Sequence, residues 1–229
     1  MKRILIIIIS FIVTLIIVFG VYVSIFYKAE ANTIALMAED NVELLDNEWI
    51  RISNDKDPKE AMIFYPGAKV EYTAYLTLLE DLASELEMTI YLLPMPFNLA
   101  IFDSDQAGDV IEANKEVTRW YIGGHSMGAA MASKYASDHP EQVEGLILLA
   151  GYLYGDYPSE RTLTVYGSLN TSVEEKIDYT QNVVVIEGGN HAQFGNYGEQ
   201  RGDAEAKITR EQQQAETIEV VKQFIQGTE

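Results

Sequence analysis

The chain has 229 residues, 48% of them hydrophobic and none of them cysteine. That suffices for a membrane segment plus one domain with a full core, and it excludes disulfides, thiolate metal sites and a cysteine nucleophile. Sixteen basic against 35 acidic residues give a formal charge of -19, which repels nucleic acid and anionic lipid surfaces and argues against a nucleic-acid partner.

Residues 4–27 carry no charge and as a helix would reach about 36 Å, enough to cross the hydrocarbon core. Lys2 and Arg3 precede this run, and Glu30, Glu39, Asp40 and Glu43 follow it. The positive-inside rule therefore puts the N-terminus in the cytoplasm and the remaining chain outside, in a single-pass cell-membrane topology. Ala29-Glu30-Ala31 also fits a signal-peptidase site that would release a secreted product near Ala31. The apolar run exceeds the roughly 7–15 residues of a signal h-region, which favours an uncleaved anchor. The expected division is an anchor with its cytoplasmic end over 1–28, a connector over 29–48 and a globular domain over 49–229.

Beyond the connector, short apolar runs predict strands at 49–52, 61–65, 89–93, 119–122, 145–150, 162–166 and 183–187. Helical patterns over 71–86, 105–115, 127–137 and 208–226 separate them. In the last helix Ala215, Ile218, Val221 and Ile225 recur at helical spacing. Apolar strands alternating with helices predict an α/β fold, a mainly parallel, doubly wound sheet whose sites lie at the carboxyl ends of its strands. No Walker loop and no G-x-G-x-x-G follows any strand, so nucleotide binding has no support.

Within W-Y-I-G-G-H-S-M-G-A-A the pattern G-x-S-x-G falls on Gly124, His125, Ser126, Met127 and Gly128. A predicted strand ends just before it and a helix of small residues follows, the setting in which a serine is pushed outward as a nucleophile. Such a serine needs a base, and the chain has three histidines. His125 sits inside the turn and reads as structural, and His139 in S-D-H-P-E reads as a surface or capping residue. His191 in E-G-G-N-H-A-Q-F-G follows the final predicted strand and is the candidate base. No histidine or cysteine cluster surrounds it to suggest a metal. The second predicted strand of the domain ends in F-Y-P-G-A-K-V, where this architecture supplies one oxyanion-hole amide, so Ala68 N–H and Met127 N–H are the candidate donors.

Taken together, F-Y-P-G-A-K-V, P-M-P-F-N-L-A-I-F, G-G-H-S-M-G, V-Y-G-S-L-N, E-G-G-N-H-A-Q-F-G-N-Y-G and I-T-R-E-Q-Q-Q-A resemble the α/β-hydrolase superfamily. They are most similar to its compact bacterial branch, the α/β-hydrolase fold-5 family, over roughly 61–226. The resemblance implies a cofactor-free serine hydrolase of a carboxylic ester or related small acyl substrate, with Ser126 as nucleophile and His191 as base. Family sequences usually read Y-G-S-x-D-G where this chain has Tyr166-Gly167-Ser168-Leu169-Asn170-Thr171, so Asn170 stands at the position of the triad acid. Asp156 and Glu174 are the alternative acids. A catalytically inactive binding or scaffolding module on the same fold is the competing reading. About ten residues, 151–160, occupy the place where many relatives insert a lid. A shallow site is therefore expected, with Tyr152, Tyr154 and Tyr157 as candidate lining residues.

Overall fold

The structure, a computed structural model, describes residues 2–53 and 58–227. Helix α1, Lys2–Ser24, contains an 18-residue window with a mean hydropathy of 3.3 and buries none of its residues against the rest of the chain. The connector forms a single helical turn, α2, Ala31–Ile34, and then strand β1, Val42–Leu44. The remaining strands are β2 Ile50–Ile52, β3 Glu60–Tyr65, β4 Thr89–Leu92, β5 Arg119–His125, β6 Gly145–Leu149, β7 Thr162–Gly167 and β8 Val183–Ile186. They form one sheet in the order β1-β2-β4-β3-β5-β6-β7-β8. β1 and β2 pair antiparallel, β2 pairs antiparallel to β4, and every later pairing is parallel.

The predicted strands are all present, and the sheet contains one more, β1, drawn from the stretch expected to be a connector. The three-residue run Val42-Glu43-Leu44 has a charge at its centre and leaves Leu44 exposed, so it carries no apolar signal of its own. It acquires its extended form by pairing with β2. β5 also runs three residues past the predicted end, because Gly123 and Gly124 pair with β6. A Cβ on Gly123 would sit 2.9 Å from Ile147 O, so the close approach of the two strands requires glycine there.

Alternation along the central strands divides the core into two layers. Met62, Phe64, Ile147, Leu149 and Val165 face α3, Leu76–Leu86, and α7, Arg210–Gly227. Ala61, Ile63, Tyr65, Ile122, Leu146 and Leu148 face α4, Gln106–Ala113, and α5, Met127–Asp138. One further helical turn, α6, Thr171–Glu174, follows β7. Each buried aliphatic side chain in such layers stabilises the fold by about 1.5–3 kcal/mol.

The inward face of α7 differs from expectation. Ala215 is exposed, whereas Gln213, Gln214 and Thr217 are buried together with Val221 and Ile225. Two glutamines replace apolar side chains in this half of the helix because they pack on loop backbone that needs hydrogen bonds.

Candidate active site

Ser126 lies between the end of β5 and the start of α5 with φ 55° and ψ -118°. A non-glycine residue adopts that conformation only at a cost of about 1–3 kcal/mol, held by its surroundings. Both flanking glycines are dictated by contact. A Cβ on Gly124 would lie 2.6 Å from the carbonyl carbon of Gly128, and one on Gly128 would lie 2.2 Å from Tyr65 O. The turn is thus pressed against the end of β3. The Ser126 N–H donates to Leu149 O at 2.9 Å and its carbonyl accepts from Ala130 N–H at 3.2 Å, leaving the half-buried side chain at the carboxyl edge of the sheet.

The turn after β3 lies alongside. Gly67 N–H donates to Tyr75 Oη at 3.0 Å and Lys69 N–H donates to Asn98 O at 2.7 Å. Ala68 N–H between them, and Met127 N–H in the first turn of α5, have no hydrogen-bond partner among the described residues. Two amides without a partner, one in the turn that the elbow is pressed against and one in the elbow itself, are the kind of donors an anionic tetrahedral oxygen requires.

His191 follows β8, and its Nδ1 lies 2.8 Å from Asn170 Nδ2 on the loop after β7. Asn170 is buried, and its Oδ1 accepts from Ser172 Oγ–H at 3.0 Å. In this arrangement the amide donates to Nδ1, so the ring proton sits on Nε2. Turning the amide over satisfies the same two contacts in the opposite sense. Oδ1 then accepts Nδ1–H, Nδ2 donates to the Ser172 hydroxyl, and Nε2 is free to accept a proton. Burial lowers the His191 pKa below its ordinary 6.5, and the nearby Asp203 carboxylate opposes that shift. Among the described residues Ser126 Oγ and the His191 ring share no hydrogen bond, a contact that commonly tightens only when substrate binds.

His125 is structural in its contacts, as its place in the turn suggested. It is buried, Tyr75 Oη lies 2.8 Å from its Nδ1, and its Nε2 lies 2.9 Å from His191 O. Burial raises the Tyr75 pKa and lowers that of His125 well below 6.5, so the neutral forms dominate. A continuous chain results: Gly67 N–H donates to Tyr75 Oη, Tyr75 O–H donates to Nδ1, and Nε2–H donates to His191 O. It ties the Ala68 turn to the elbow and the elbow to the His191 loop. Gly67 belongs to the arrangement, since a Cβ there would lie 2.7 Å from His125 Nδ1.

The structure brings neither alternative acid to His191. Asp156 is exposed, with its N–H on Ser137 Oγ near the far end of α5. Glu174 is exposed on α6, where its field acts on Tyr166. Of the tyrosines between β6 and β7, Tyr157 is buried with its hydroxyl on Val143 O, Tyr154 is exposed, and Tyr152 lies half-buried under Lys176. Tyr157 therefore belongs to the core layer on the α4 and α5 face of the sheet. His139 packs on Tyr135 at the end of α5.

Sequence reasoning missed the carboxylate that does hold this loop. Asp203 accepts His191 N–H at 3.2 Å through Oδ1 and Ala192 N–H at 2.8 Å through Oδ2. Gln213 accepts Asn190 N–H at 3.0 Å and donates to Asn190 O at 3.0 Å, while Gln214 donates to Gln193 O and Asn196 Oδ1. The signal in the sequence is the motif I-T-R-E-Q-Q-Q-A, whose last two glutamines, Gln213 and Gln214, make these bonds. A cavity of about 630 Å³ beside this loop is lined by Asn190, Gln193, Asp203 and Arg210 and does not include Ser126.

A mainly parallel sheet with a strained serine at the end of its central strand, and a histidine after the last strand, defines an α/β fold of the hydrolase type. A sequence profile described as "Alpha/beta hydrolase family" matches residues 61–215, and the chain belongs to that family. No curated protein sequence matches it. Solved structures share the fold at low identity. A membrane phospholipase A described as a bacterial virulence factor is 14% identical with a TM-score of 0.54, covering 100% of this chain and 99% of that one. A soluble variant of monoglyceride lipase from Saccharomyces cerevisiae is 11% identical with a TM-score of 0.53, covering 83% and 95%. A carboxylesterase from Mesorhizobium loti is 15% identical with a TM-score of 0.52, covering 82% and 100%.

Proposed function

We propose that this chain is a membrane-anchored serine hydrolase acting on a carboxylic ester or similar acyl compound, with its domain outside the cytoplasm. Ser126 Oγ attacks the carbonyl carbon while His191 Nε2 takes its proton, and the same proton passes to the leaving alkoxide as the acyl-enzyme forms. Water then adds to the acyl-enzyme by the same route. Ala68 and Met127 N–H groups hold the oxyanion, each worth about 3 kcal/mol of barrier. Asn170 orients His191 through Oδ1. The observation that carries this reading is the strained Ser126 beside two unpartnered amides. The esterase, lipase and phospholipase named among the similar structures agree with it.

The Asn170 amide favours a second reading. With Nδ2 toward His191 Nδ1 the ring cannot act as base, and the domain would serve as a binding module. Turnover of a short-chain activated ester by the folded full-length protein separates the two: hydrolysis supports the enzyme, and its absence supports the module.

The anchor reading is supported by the contacts of the segment that a signal peptidase would cut. Tyr27 bridges to Val70, Ala29 N–H donates to Glu71 Oε2 at 2.9 Å, and Glu30 pairs with Arg210 through two contacts of 2.7 and 2.9 Å. Cleavage after Ala31 would remove all of them. Full-length protein is expected to fractionate with membranes, and protease added to intact cells should digest the domain. A soluble product starting at Asn32, or protection from external protease, would overturn the topology.

A further inference from the structure

The loop after β4, P-M-P-F-N-L-A-I-F, leaves three large apolar side chains in the open: Phe97 at 54%, Ile101 at 58% and Phe102 at 53% exposure. They are not scattered. Phe97 and Phe102 stack edge to face at 5.7 Å, and both meet Phe19 of α1, at 5.4 and 6.0 Å. Phe97 and Asn98 have φ 58° and 56°, two successive left-handed non-glycine residues, a conformation maintained only because the fold imposes it. Asn98 O anchors the loop by accepting Lys69 N–H at 2.7 Å.

The placement of α1 gives this patch its neighbour. Phe19 lies five residues before the end of α1 at Ser24, or about 8 Å below that end along the axis. With the bilayer surface taken at the end of α1, side chains touching Phe19 lie at the depth where the apolar face of an interfacial segment rests. Tyr22 lies closer to the end, with Lys69 Nζ 4.3 Å from its ring centre, an aromatic and a cation at the level where headgroups sit. The geometry relative to the domain is fixed beyond α1 as well. Tyr27 N–H donates to Lys69 O at 2.7 Å and Glu71 N–H donates to Tyr27 O at 2.8 Å. Lys69 is the residue after Ala68.

We propose that Phe97, Ile101 and Phe102 form, with Phe19, an apolar rim that enters the bilayer at the C-terminal end of α1. From that leaflet the Ser126 site then takes a membrane-resident amphiphile, an acyl ester whose chain stays in the lipid while its carbonyl reaches the Ala68 turn. This rests on the hydrolase and anchor readings and adds the source and class of the substrate. The carboxylates of Asp103 and Asp105 follow the rim in sequence, and with the charge of -19 they favour a zwitterionic surface over an anionic one.

The test uses the full chain reconstituted in phosphatidylcholine vesicles. Phe102→Trp should show emission strongly quenched by lipids brominated on the acyl chain, above the small response of the buried Trp49 and Trp120. Quenching no greater than in the unsubstituted protein would overturn the rim. The second arm replaces all three side chains, Phe97→Ser, Ile101→Ser and Phe102→Ser. Hydrolysis of a long-chain ester carried in the vesicles should fall about tenfold or more through the lost apolar contact. Hydrolysis of a soluble short-chain ester should stay within about twofold. An equal loss on both esters, or no loss on either, would refute the substrate route while leaving the hydrolase reading standing. If the unsubstituted protein hydrolysed neither ester, the hydrolase reading and the substrate route would both fall, and the quenching arm would still decide the rim.

Discussion

Replacing Ser126 with alanine is expected to lower turnover of a short activated ester by at least about a hundredfold and to leave the protein folded. The size follows from two reference magnitudes. Removing the serine of an intact triad costs about 10⁶ in kcat, while an amide in place of the triad acid already forfeits up to about 10⁴. If Asn170 holds His191 in the unproductive tautomer, only about 10² remains to be lost. If Asn170 Oδ1 accepts Nδ1–H, less is forfeited beforehand and the loss rises to about 10³–10⁵. The fold should persist because alanine retains the Cβ and every bond of Ser126 to the rest of the chain runs through its backbone. Turnover unchanged in Ser126→Ala would refute the assignment of the nucleophile.

Replacing Asn170 with aspartate should raise turnover by about ten- to a thousandfold, within the 10⁴ that separates the two residues in triads. The site is already shaped for the carboxylate. Its oxygens would meet His191 Nδ1 at 2.8 Å and Ser172 Oγ–H at 3.0 Å, so the new charge would be bonded on both sides. The pH profile should move with it. Burial holds the His191 pKa below 6.5. The ring must be neutral to act as base, so wild-type activity should survive into mildly acidic solution and fall only as the pH passes below that depressed value. A carboxylate beside the ring stabilises the imidazolium and raises the pKa, so the acidic limb of kcat/KM should shift upward in Asn170→Asp. Asp156→Asn and Glu174→Gln should leave both rate and profile near wild type. Collapse of turnover in either, with no gain in Asn170→Asp, would show that another carboxylate serves His191.

Much of this arrangement is legible in the sequence where one residue type has one physical reason to be present. Gly124 and Gly128 mark the elbow because no side chain fits against Gly128 or Tyr65, and a motif spaced around a strand end records that. His191 emerges by elimination among three histidines, each with a distinguishable setting. The supports of the loop are hidden for the opposite reason. Asp203, Gln213 and Gln214 act by bonding to backbone, and a polar residue turned inward looks the same in sequence as one turned to water. The relay from Gly67 through Tyr75 to His125 joins residues far apart in the chain, and no local pattern announces it. β1 and the apolar rim share a further difficulty. Both depend on what the segment lies against, β2 in one case and α1 in the other, and neither neighbour is written into the segment itself.

Labelling by a fluorophosphonate reads out whether Ser126 is an activated nucleophile. The reagent reacts at a serine hydroxyl, and the proposed activation by a neutral imidazole and stabilisation by the Ala68 and Met127 amides would each speed that reaction. The full-length protein should gain one phosphonyl group, located on Ser126 by peptide mass analysis. The rate should rise in Asn170→Asp, and no label should attach in Ser126→Ala. An unlabelled wild-type protein that is folded, or equal labelling of wild type and Ser126→Ala, would contradict the account.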